Sequence, residues 1–292
     1  FNLDNKVNKL SGALSFTQKI NANLVLKSGI FYDNMGYQTT YNEYTNPNEF
    51  VNLINNADNT SLVRAYSQMQ YRINDRWSSN FGIHYANFLH NNKQVIESRG
   101  NIQYTINQRS NIALAFGKHS QVQPLIVYFL KGEDGNLVNK DLDFTKAHHF
   151  VLTYNFDVNN HTRIKSEIYY QHLTDVAVGL GKNSNFAMVN QQYFIPDFAL
   201  VNGGKGKNMG IELTLERFLH QNWYYIITAS LFDAKYKTPT THWLNTRYNA
   251  QYTSAITIGK EWVVGKSKRN TLGFNIKNAI VGGQWDTPID RA

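Results

Sequence analysis

Apolar and polar residues alternate along residues 208–234, on both sides of a short polar corner at 220–222. Met209 and Ile211 fall on one side of an extended chain there, whereas Glu212 falls on the other. Alternation on both sides of a tight corner predicts a long antiparallel hairpin. Each arm has about 10 to 13 residues, roughly twice the usual length of a soluble strand, which fits a tilted strand that crosses a bilayer.

The same pattern recurs along the chain and predicts six hairpins, or about 12 strands. The predicted strand pairs are 9–20 with 24–32, 62–73 with 77–88, 94–106 with 110–118, 146–157 with 162–173, the two arms of 208–234, and 245–259 with 271–280. Tight corners at one end alternate with long connections at the other, which are predicted at 36–59, 119–145 and 174–207. This difference between the two ends is typical of outer-membrane barrels. We therefore predict an all-β chain that forms an antiparallel transmembrane β-barrel.

Soluble β folds fit the pattern less well. A β-sandwich would have shorter strands, with turn signals about every 8 to 12 residues. A β-propeller would repeat a blade motif about every 40 to 50 residues, whereas the hairpins here begin at uneven intervals and share no such motif. Polar side chains that recur on one strand face, such as Arg64, Gln68 and Arg72, indicate a wall that faces water inside a barrel.

Composition agrees with a membrane barrel and excludes some chemistry. The chain has 292 residues, a mean hydropathy of −0.46 and no run that approaches 18 apolar residues, which argues against a transmembrane helix. Cysteine is absent from the sequence, which excludes disulfides, thiol nucleophiles and cysteine metal sites. The net charge is +8, but its Lys and Arg residues are scattered, which favours contact with anionic lipid phosphates over nucleic-acid binding.

Three segments carry a resemblance to a known family. They are GKNMGIELTLER at 206–217, IGKE at 258–261 and NIKNAIVGGQWDTPID at 275–290. Together they look like the C-terminal half of the barrel in TonB-dependent outer-membrane receptors, in the form found in Bacteroidetes, and the resemblance covers nearly the whole chain. It implies part of a plugged barrel of about 22 strands, located in the outer membrane of a Gram-negative bacterium.

The resemblance also implies a function. The chain would be a single barrel portion over residues 1–292, with the plug domain and the final strands expected outside it. Such a receptor takes up a nutrient ligand that long extracellular loops capture, and energy-coupled movement of the plug follows. The implied partners are outer-membrane lipid, the TonB complex acting through the N-terminal part, an unidentified nutrient ligand and a surface lipoprotein. No nucleic-acid partner is expected.

Two other functions stay open at this point. A passive porin-like or adhesin barrel would be complete with about 12 strands, and its first strand would pair with its last. A barrel hydrolase would need a serine, a histidine and an acid at suitable spacing, and the sequence offers no convincing set. We therefore expect no enzymatic activity and no cofactor.

Aromatic residues in the predicted loops are the candidates for ligand contact. Exposed aromatic rings stack on sugars, siderophore rings or porphyrins, and the alternative role of such rings is to pack the loops against one another. The candidate ligand-binding residues are Tyr128, Phe129, Phe194 and Trp243.

Histidines do not predict a metal site. His148 and His149 are adjacent, but neighbours on a strand point to opposite faces and cannot easily grip one ion. Four other histidines lie towards the long-connection ends of their strands and would form a metal site only if they gathered there: His84, His90, His119 and His172.

Carboxylates and glycines do not predict catalysis or phosphate binding either. Glu212 and Glu216 share one strand face at a spacing of roughly 13 Å, which is too wide for a hydrolytic pair. We expect them to form a ladder of charges on the inner wall with Arg163 and Lys165. The glycine-rich run at 203–207 lacks the spacing of a phosphate-binding loop and is predicted to be a mobile extracellular loop.

Overall fold

The computed structural model describes residues 2–46, 49–132, 135–181, 185–191, 196 and 198–285. These residues form one antiparallel sheet of 13 strands in which each long strand pairs with the next one in sequence. The strands are β1 Asn2–Asn21, β2 Leu24–Asn46, β3 Glu49–Arg72, β4 Trp77–Phe88, β5 Lys93–Asn107, β6 Ser110–Gln121, β7 Thr145–Asn159, β8 Thr162–Gly179, β9 Leu200–His220, β10 Trp223–Lys237, β11 Leu244–Asn245, β12 Tyr252–Val264 and β13 Asn270–Val281. One helical turn, α1 Leu125–Tyr128, and a 3₁₀ turn, Met188–Asn190, interrupt the strands.

The predicted hairpins are confirmed. Twelve strands form the continuous series, and the two-residue β11 attaches to β10 as an addition. The tight corners of the predicted hairpins all lie at one end of the sheet. The opposite end carries the long connections between β6 and β7 and between β8 and β9, but also the short turn between β4 and β5. At the corner between β9 and β10, Gln221 and Asn222 have φ angles of 54° and 67°. A two-residue hairpin turn of this kind needs positive φ at both central residues, so that its twist matches the twist of the strands.

The long connection predicted at 36–59 is wrong. β2 and β3 continue through it as a hairpin whose pairs run from Gly36 with Asn59 to Asn46 with Glu49. Backbone hydrogen bonds hold this extension together and do not depend on side-chain polarity. Tyr37 and Thr39 of this extension are buried, with exposed fractions of 4% and 0%, so the protein covers part of it. Backbone pairing of this kind tolerates the clustered polar residues that resemble a loop in the sequence.

The connection predicted at 174–207 is shorter than expected, and the glycine-rich run is not a loop. β8 extends to Gly179, and β9 begins at Leu200, so residues 203–207 lie within strand β9. Gly206 and Lys207 pair with both β8 and β10, and Gly204 pairs with β8. A Cβ atom on Gly204 would lie 2.5 Å from Cγ1 of Val178, which means that close packing of β8 and β9 requires glycine there.

The sixth hairpin also begins later than predicted. The alternation begins at Asn245, but only Leu244–Asn245 pairs with β10 before the chain turns, and β12 starts at Tyr252. Gln251 has a φ angle of 66° at this turn, so the chain leaves the extended conformation there and the alternating residues before it are not a strand.

The outer face of the sheet is apolar and exposed. Cross-strand partners form a continuous row across six strands: Ile102, Leu114, Leu152, Ile168, Ile211 and Leu231. The exposed fraction of these side chains ranges from 37% to 62%. A contiguous apolar surface of this kind belongs against lipid. Within the described part of the chain, no helix has the length and apolarity needed to cross a membrane.

The opposite face is the inner wall, and it is polar over most of its area. Its apolar core lies at the long-connection end, where the segments between strands fold over the sheet and bury residues from β2, β4, β5, β8 and β9. The connecting segments and the apolar core therefore lie together at the long-connection end of the polar inner wall.

The two edge strands do not meet. β1 and β13 lie at opposite ends of the strand order, and no pairing joins them among the described residues. The closed 12-strand barrel that the passive alternative requires is therefore not formed by this part of the chain.

Candidate functional site

The segment between β6 and β7 folds back over the inner wall at the long-connection end. Its helical turn α1 buries Val127 and Tyr128 against the sheet. The ring of Tyr128 lies 4.8 Å from that of Phe88 in β4, and Phe129 stacks on Tyr37 of β2 at 4.8 Å and 16°. Ring pairs at such distances hold the segment more firmly than area burial alone would. Within the segment 122–144, the described residues 122–132 and 135–144 thereby cover the wall between β2 and β8.

Tyr128 and Phe129 are two of the predicted ligand-binding residues, and the structure brings them together. Both are enclosed, with exposed fractions of 0% and 2%. The hydroxyl of Tyr128 accepts a hydrogen bond from the backbone N–H of Gln123 at 3.2 Å, and burial raises the pKa of Tyr128 to about 12. In this arrangement the two rings pack the segment against the wall.

The other two predicted residues lie elsewhere. Trp243 sits on the outer face between β10 and β11, where the ammonium groups of Lys207 and Lys237 lie 4.7 and 5.1 Å from its ring centroid. Phe194 lies outside the described residues. The four candidates therefore do not form one site in the described part of the chain.

A charged network lines the inner wall below the folded segment. Glu97 of β5 is 6% exposed, and it accepts hydrogen bonds from Arg99 and from the hydroxyl of Ser120 in β6. A carboxylate this buried needs a charged partner, because its desolvation would otherwise be costly. The rings of His119 and His149 lie 4.6 Å apart on the same wall. Together these groups make the wall polar and able to form hydrogen bonds.

The histidines do not form a cluster at the long-connection end of the sheet. His148 lies opposite His172 on the face away from His149, as expected for neighbours on a strand. His90 is in the aromatic cluster with Phe129, at 4.5 Å between rings. Among the described residues, no group of three or more histidine, aspartate or glutamate side chains could hold a metal ion.

The predicted ladder of charges is present on the wall near the tight corners and in the middle of the sheet. Arg163 binds Glu216 at 2.6 Å, as predicted. Lys165 pairs with Glu167 at 2.7 Å instead of with Glu212. Glu167 lies directly opposite Glu212 in the pairing of β8 and β9. The sequence did not predict this last pair, because the register between strands on either side of a long connection is not readable from either strand.

Two hollows open on the inner face. The larger has a volume of about 460 Å³ and is lined by Glu167, Tyr169, Gln171, Asn208 and Glu212, together with apolar residues of β10. Carboxylate, amide and phenol groups converge there, so the hollow can bind a polar or cationic group by hydrogen bonds.

The smaller hollow has a volume of about 270 Å³ and lies where the connection after β6 meets the connection after β8. Its lining includes Gln121, Gln123 and Thr145 on one side, and Met188 and Gln191 on the other. The residue pattern gives no signal for it, because two separate connections form it.

Comparison with known proteins adds the overall architecture. Neither a protein-family model nor a curated protein matches the sequence. Solved structures match by fold: the siderophore receptor PirA from Pseudomonas aeruginosa matches at a TM-score of 0.65 and 12% identity, over 97% of this chain and 49% of that one. The ferric yersiniabactin uptake receptor FyuA from Yersinia pestis matches at 0.65 and 11%, over 95% and 46%. The FrpB iron transporter from Neisseria meningitidis matches at 0.63 and 11%, over 88% and 42%.

The fold is thus all-β and is that of part of an antiparallel transmembrane β-barrel. This chain spans less than half the length of each of these receptors and transporters. At such low sequence identity, the similarity shows the fold alone. The apolar outer face and the polar inner wall fit this barrel fold.

Proposed function

We propose that this chain is part of the barrel of a TonB-dependent outer-membrane receptor that takes up a nutrient ligand, of the type found in Bacteroidetes. One observation carries the proposal: nearly the whole chain superposes on barrels whose names describe iron and siderophore uptake. A polar inner wall with a segment folded over its outer end is compatible with a barrel interior through which a polar ligand passes.

The edges of the sheet support a larger barrel. Apolar side chains on the edge strands are exposed, among them Leu10 and Leu14 of β1 and Phe274 and Ile276 of β13. A strand edge with free backbone groups cannot face lipid, because nothing there replaces the lost hydrogen bonds. We propose that further strands of the same polypeptide complete the barrel and that a plug domain fills it.

The ligand would bind at the long-connection end. Phe194 stays a proposed ligand contact, whereas Trp243 lies on the outer face and away from the proposed path of the ligand. Tyr128 and Phe129 would reach a ligand only after the segment around them lifts from the wall. The hollow between Glu167 and Asn208 would then hold polar groups of the ligand on its way through. Outer-membrane lipid, the TonB complex and a surface lipoprotein would be the partners.

Uptake by the native protein tests the proposal. The molecular mass of the intact polypeptide is first determined in purified outer membranes, and the proposal predicts a mass well above 33.6 kDa. Uptake of labelled iron chelates and copper salts is then compared in cells with and without the gene. Energy coupling predicts that an uncoupler of the proton gradient abolishes the difference.

Three results would contradict the proposal. Native protein in the soluble fraction would exclude a membrane barrel. A mass near 33.6 kDa would favour a barrel that closes on its own, and with it the passive alternative. Uptake that persists after the uncoupler would indicate a passive channel.

A further inference from the structure

Four lysines face one another across β9 and β10. Lys207 lies directly opposite Lys235, and Lys205 lies directly opposite Lys237. Side chains in such pairs stand about 5 Å apart at Cβ, and like charges in this position destabilise a sheet. The arrangement therefore needs an anion to offset it, either from the protein or from its surroundings.

Within the part of the chain that the structure describes, one carboxylate pairs with this lysine patch. Asp233 binds Lys235 at 3.0 Å. Among the described residues, Lys205, Lys207 and Lys237 have no carboxylate within ion-pair distance. Three positive charges are thus left for an external anion.

The lysine patch lies on the lipid-facing side of the sheet. Counting two residues at a time along β9 from Lys207 leads to Met209 and then to Ile211, which is 47% exposed in the apolar band. On β10 the same count from Lys235 leads through Asp233 to Leu231, which is 62% exposed. Because the strand period is two, the lysines continue the outer face directly beyond the apolar band.

Trp243 marks the boundary between this band and water. Its ring lies against the ammonium groups of both Lys207 and Lys237. Tryptophan is enriched at membrane interfaces, where its ring sits at the level of the lipid headgroups.

The other end of the same strand shows a second interface. At the tight-corner end, Lys260 lies 4.4 Å from the ring centroid of Trp223 and 5.3 Å from that of Trp262. Trp223 and Lys235 are separated along β10 by roughly 40 Å at normal strand rise, or about 30 Å across a bilayer at a tilt of about 40°. That separation matches the hydrocarbon thickness of a membrane.

We propose that the lysine patch, Lys205, Lys207, Lys235 and Lys237 with Trp243, binds the phosphate groups of an anionic lipid in the outer leaflet. The proposal rests on the outer-membrane location proposed above. Phosphate oxygens accept hydrogen bonds from several ammonium groups at once, and the acyl chains of the same lipid cover the apolar row from Ile168 to Leu231. A lipid satisfies both surfaces together, whereas a free anion satisfies only the first.

The test compares lipid binding by full-length protein and two double variants. The patch variant is K207Q/K237Q, and the matched control is K266Q/K268Q, which removes the same charge from the exposed corner between β12 and β13. Each protein, purified in neutral detergent, is titrated with lipid A, with phosphatidylcholine and with inorganic phosphate. Bound ligand per chain is measured by native mass spectrometry.

Wild-type protein and the control are expected to retain lipid A, and the patch variant to bind it at least about tenfold more weakly, since each lysine near an anionic lipid contributes a several-fold effect. Equal retention of lipid A by all three proteins would overturn the proposal. Binding of phosphatidylcholine by wild-type protein as strong as its binding of lipid A would also overturn it. Saturation by inorganic phosphate, with the same loss in the variant, would show a free-anion site instead of a lipid site.

Membrane fractionation of the same proteins separates the two proposals. If the lipid result fails while all three proteins remain in the outer membrane, the patch assignment alone is wrong. If wild-type protein is absent from the membrane, the proposed location itself fails. Heat-induced gel mobility shifts report whether each variant is folded.

Discussion

Tyr37 and Phe129 stack face to face, with ring centroids 4.8 Å apart and an angle of 16° between the rings. The first belongs to the extended hairpin of β2 and β3, and the second ends the helical turn between β6 and β7. This pair joins two elements that are distant in sequence, and it closes the segment 122–144 over the inner wall.

Replacement of Phe129 by alanine should release this segment. Loss of a buried aromatic side chain costs about 3–5 kcal/mol, and because the cluster is local we expect local opening. Hydrogen exchange of residues 122–144 should accelerate by about 100-fold or more. The control is F274A, which removes an aromatic ring from the lipid-facing surface. Unchanged exchange in F129A would show that the stack does not hold the segment.

Acid should also loosen the segment through His90. Burial in the aromatic cluster lowers the pKa of His90, although Asp58 and Asp141 act in the opposite direction. The folded state therefore favours neutral His90, and its contribution to stability is complete above the ordinary pKa of about 6.5. That contribution declines as the pH falls through this value towards the lower folded pKa.

We expect the protection of residues 122–144 against exchange to fall between pH 7.5 and pH 5.5, after correction for the intrinsic exchange rate. H90F keeps a ring in the cluster and removes the titrating group, so its protection should vary less with pH. Identical pH profiles for both proteins would assign the effect to another group.

Lys146 joins the segment to β8. Its ammonium group binds Asp143 at 3.1 Å and Asp175 at 3.0 Å. Lys146→Met leaves two neighbouring carboxylates without their shared cation, and because all three groups are partly exposed we expect a loss of about 1 kcal/mol. The free energy of unfolding is measured by chemical denaturation in lipid vesicles. The control K140M, at an exposed lysine nearby, should lower this free energy by less. An equal decrease in both variants would indicate a general effect of charge.

Gly204 of β9 lies very close to β8 near the long-connection end. Alanine there would press its Cβ against Val178 and Val176, at 2.5 and 3.1 Å. Such overpacking costs about 1–3 kcal/mol, measured as a lower midpoint of unfolding. Gly12→Ala is the matched control, since nothing lies within 4 Å of a Cβ at that position. Equal stability of the two variants would mean that β8 shifts freely.

The alternation of residues predicted most of the fold. Strand Trp77–Phe88 has the predicted bounds, and the strand ends at the tight corners differ from the predicted ends by only a few residues. The pattern failed in β2 and β3 beyond Gly36, where clustered polar residues and a proline resemble a loop although the backbone pairs as a hairpin. It also failed where glycine marks close strand packing, as at Gly204, because the same residue type marks a loop.

The candidate site was less accessible to sequence reasoning. Arg163 and Glu216 were correctly placed on one wall because the alternation along each strand fixes the face of each side chain. The direct opposition of Glu167 and Glu212 was not predicted, because the register between β8 and β9 is set across a long connection. Ser120 was not linked with Glu97, because it lies beyond the predicted end of its strand at residue 118. The burial of Tyr128 and Phe129 could not be inferred either, because loop aromatics look alike in sequence whether they face ligand or core.

The sequence by itself determined which residues share a face, because the side chains of any strand alternate with a period of two. That rule was enough for an all-β chain with an apolar outer face, a polar inner wall and unequal ends. Tertiary structure alone decided the register between one hairpin and the next, how far β2 and β3 extend, and how the segment between β6 and β7 folds inward. Those outcomes rest on backbone hydrogen bonds and long-range packing, which carry no local pattern.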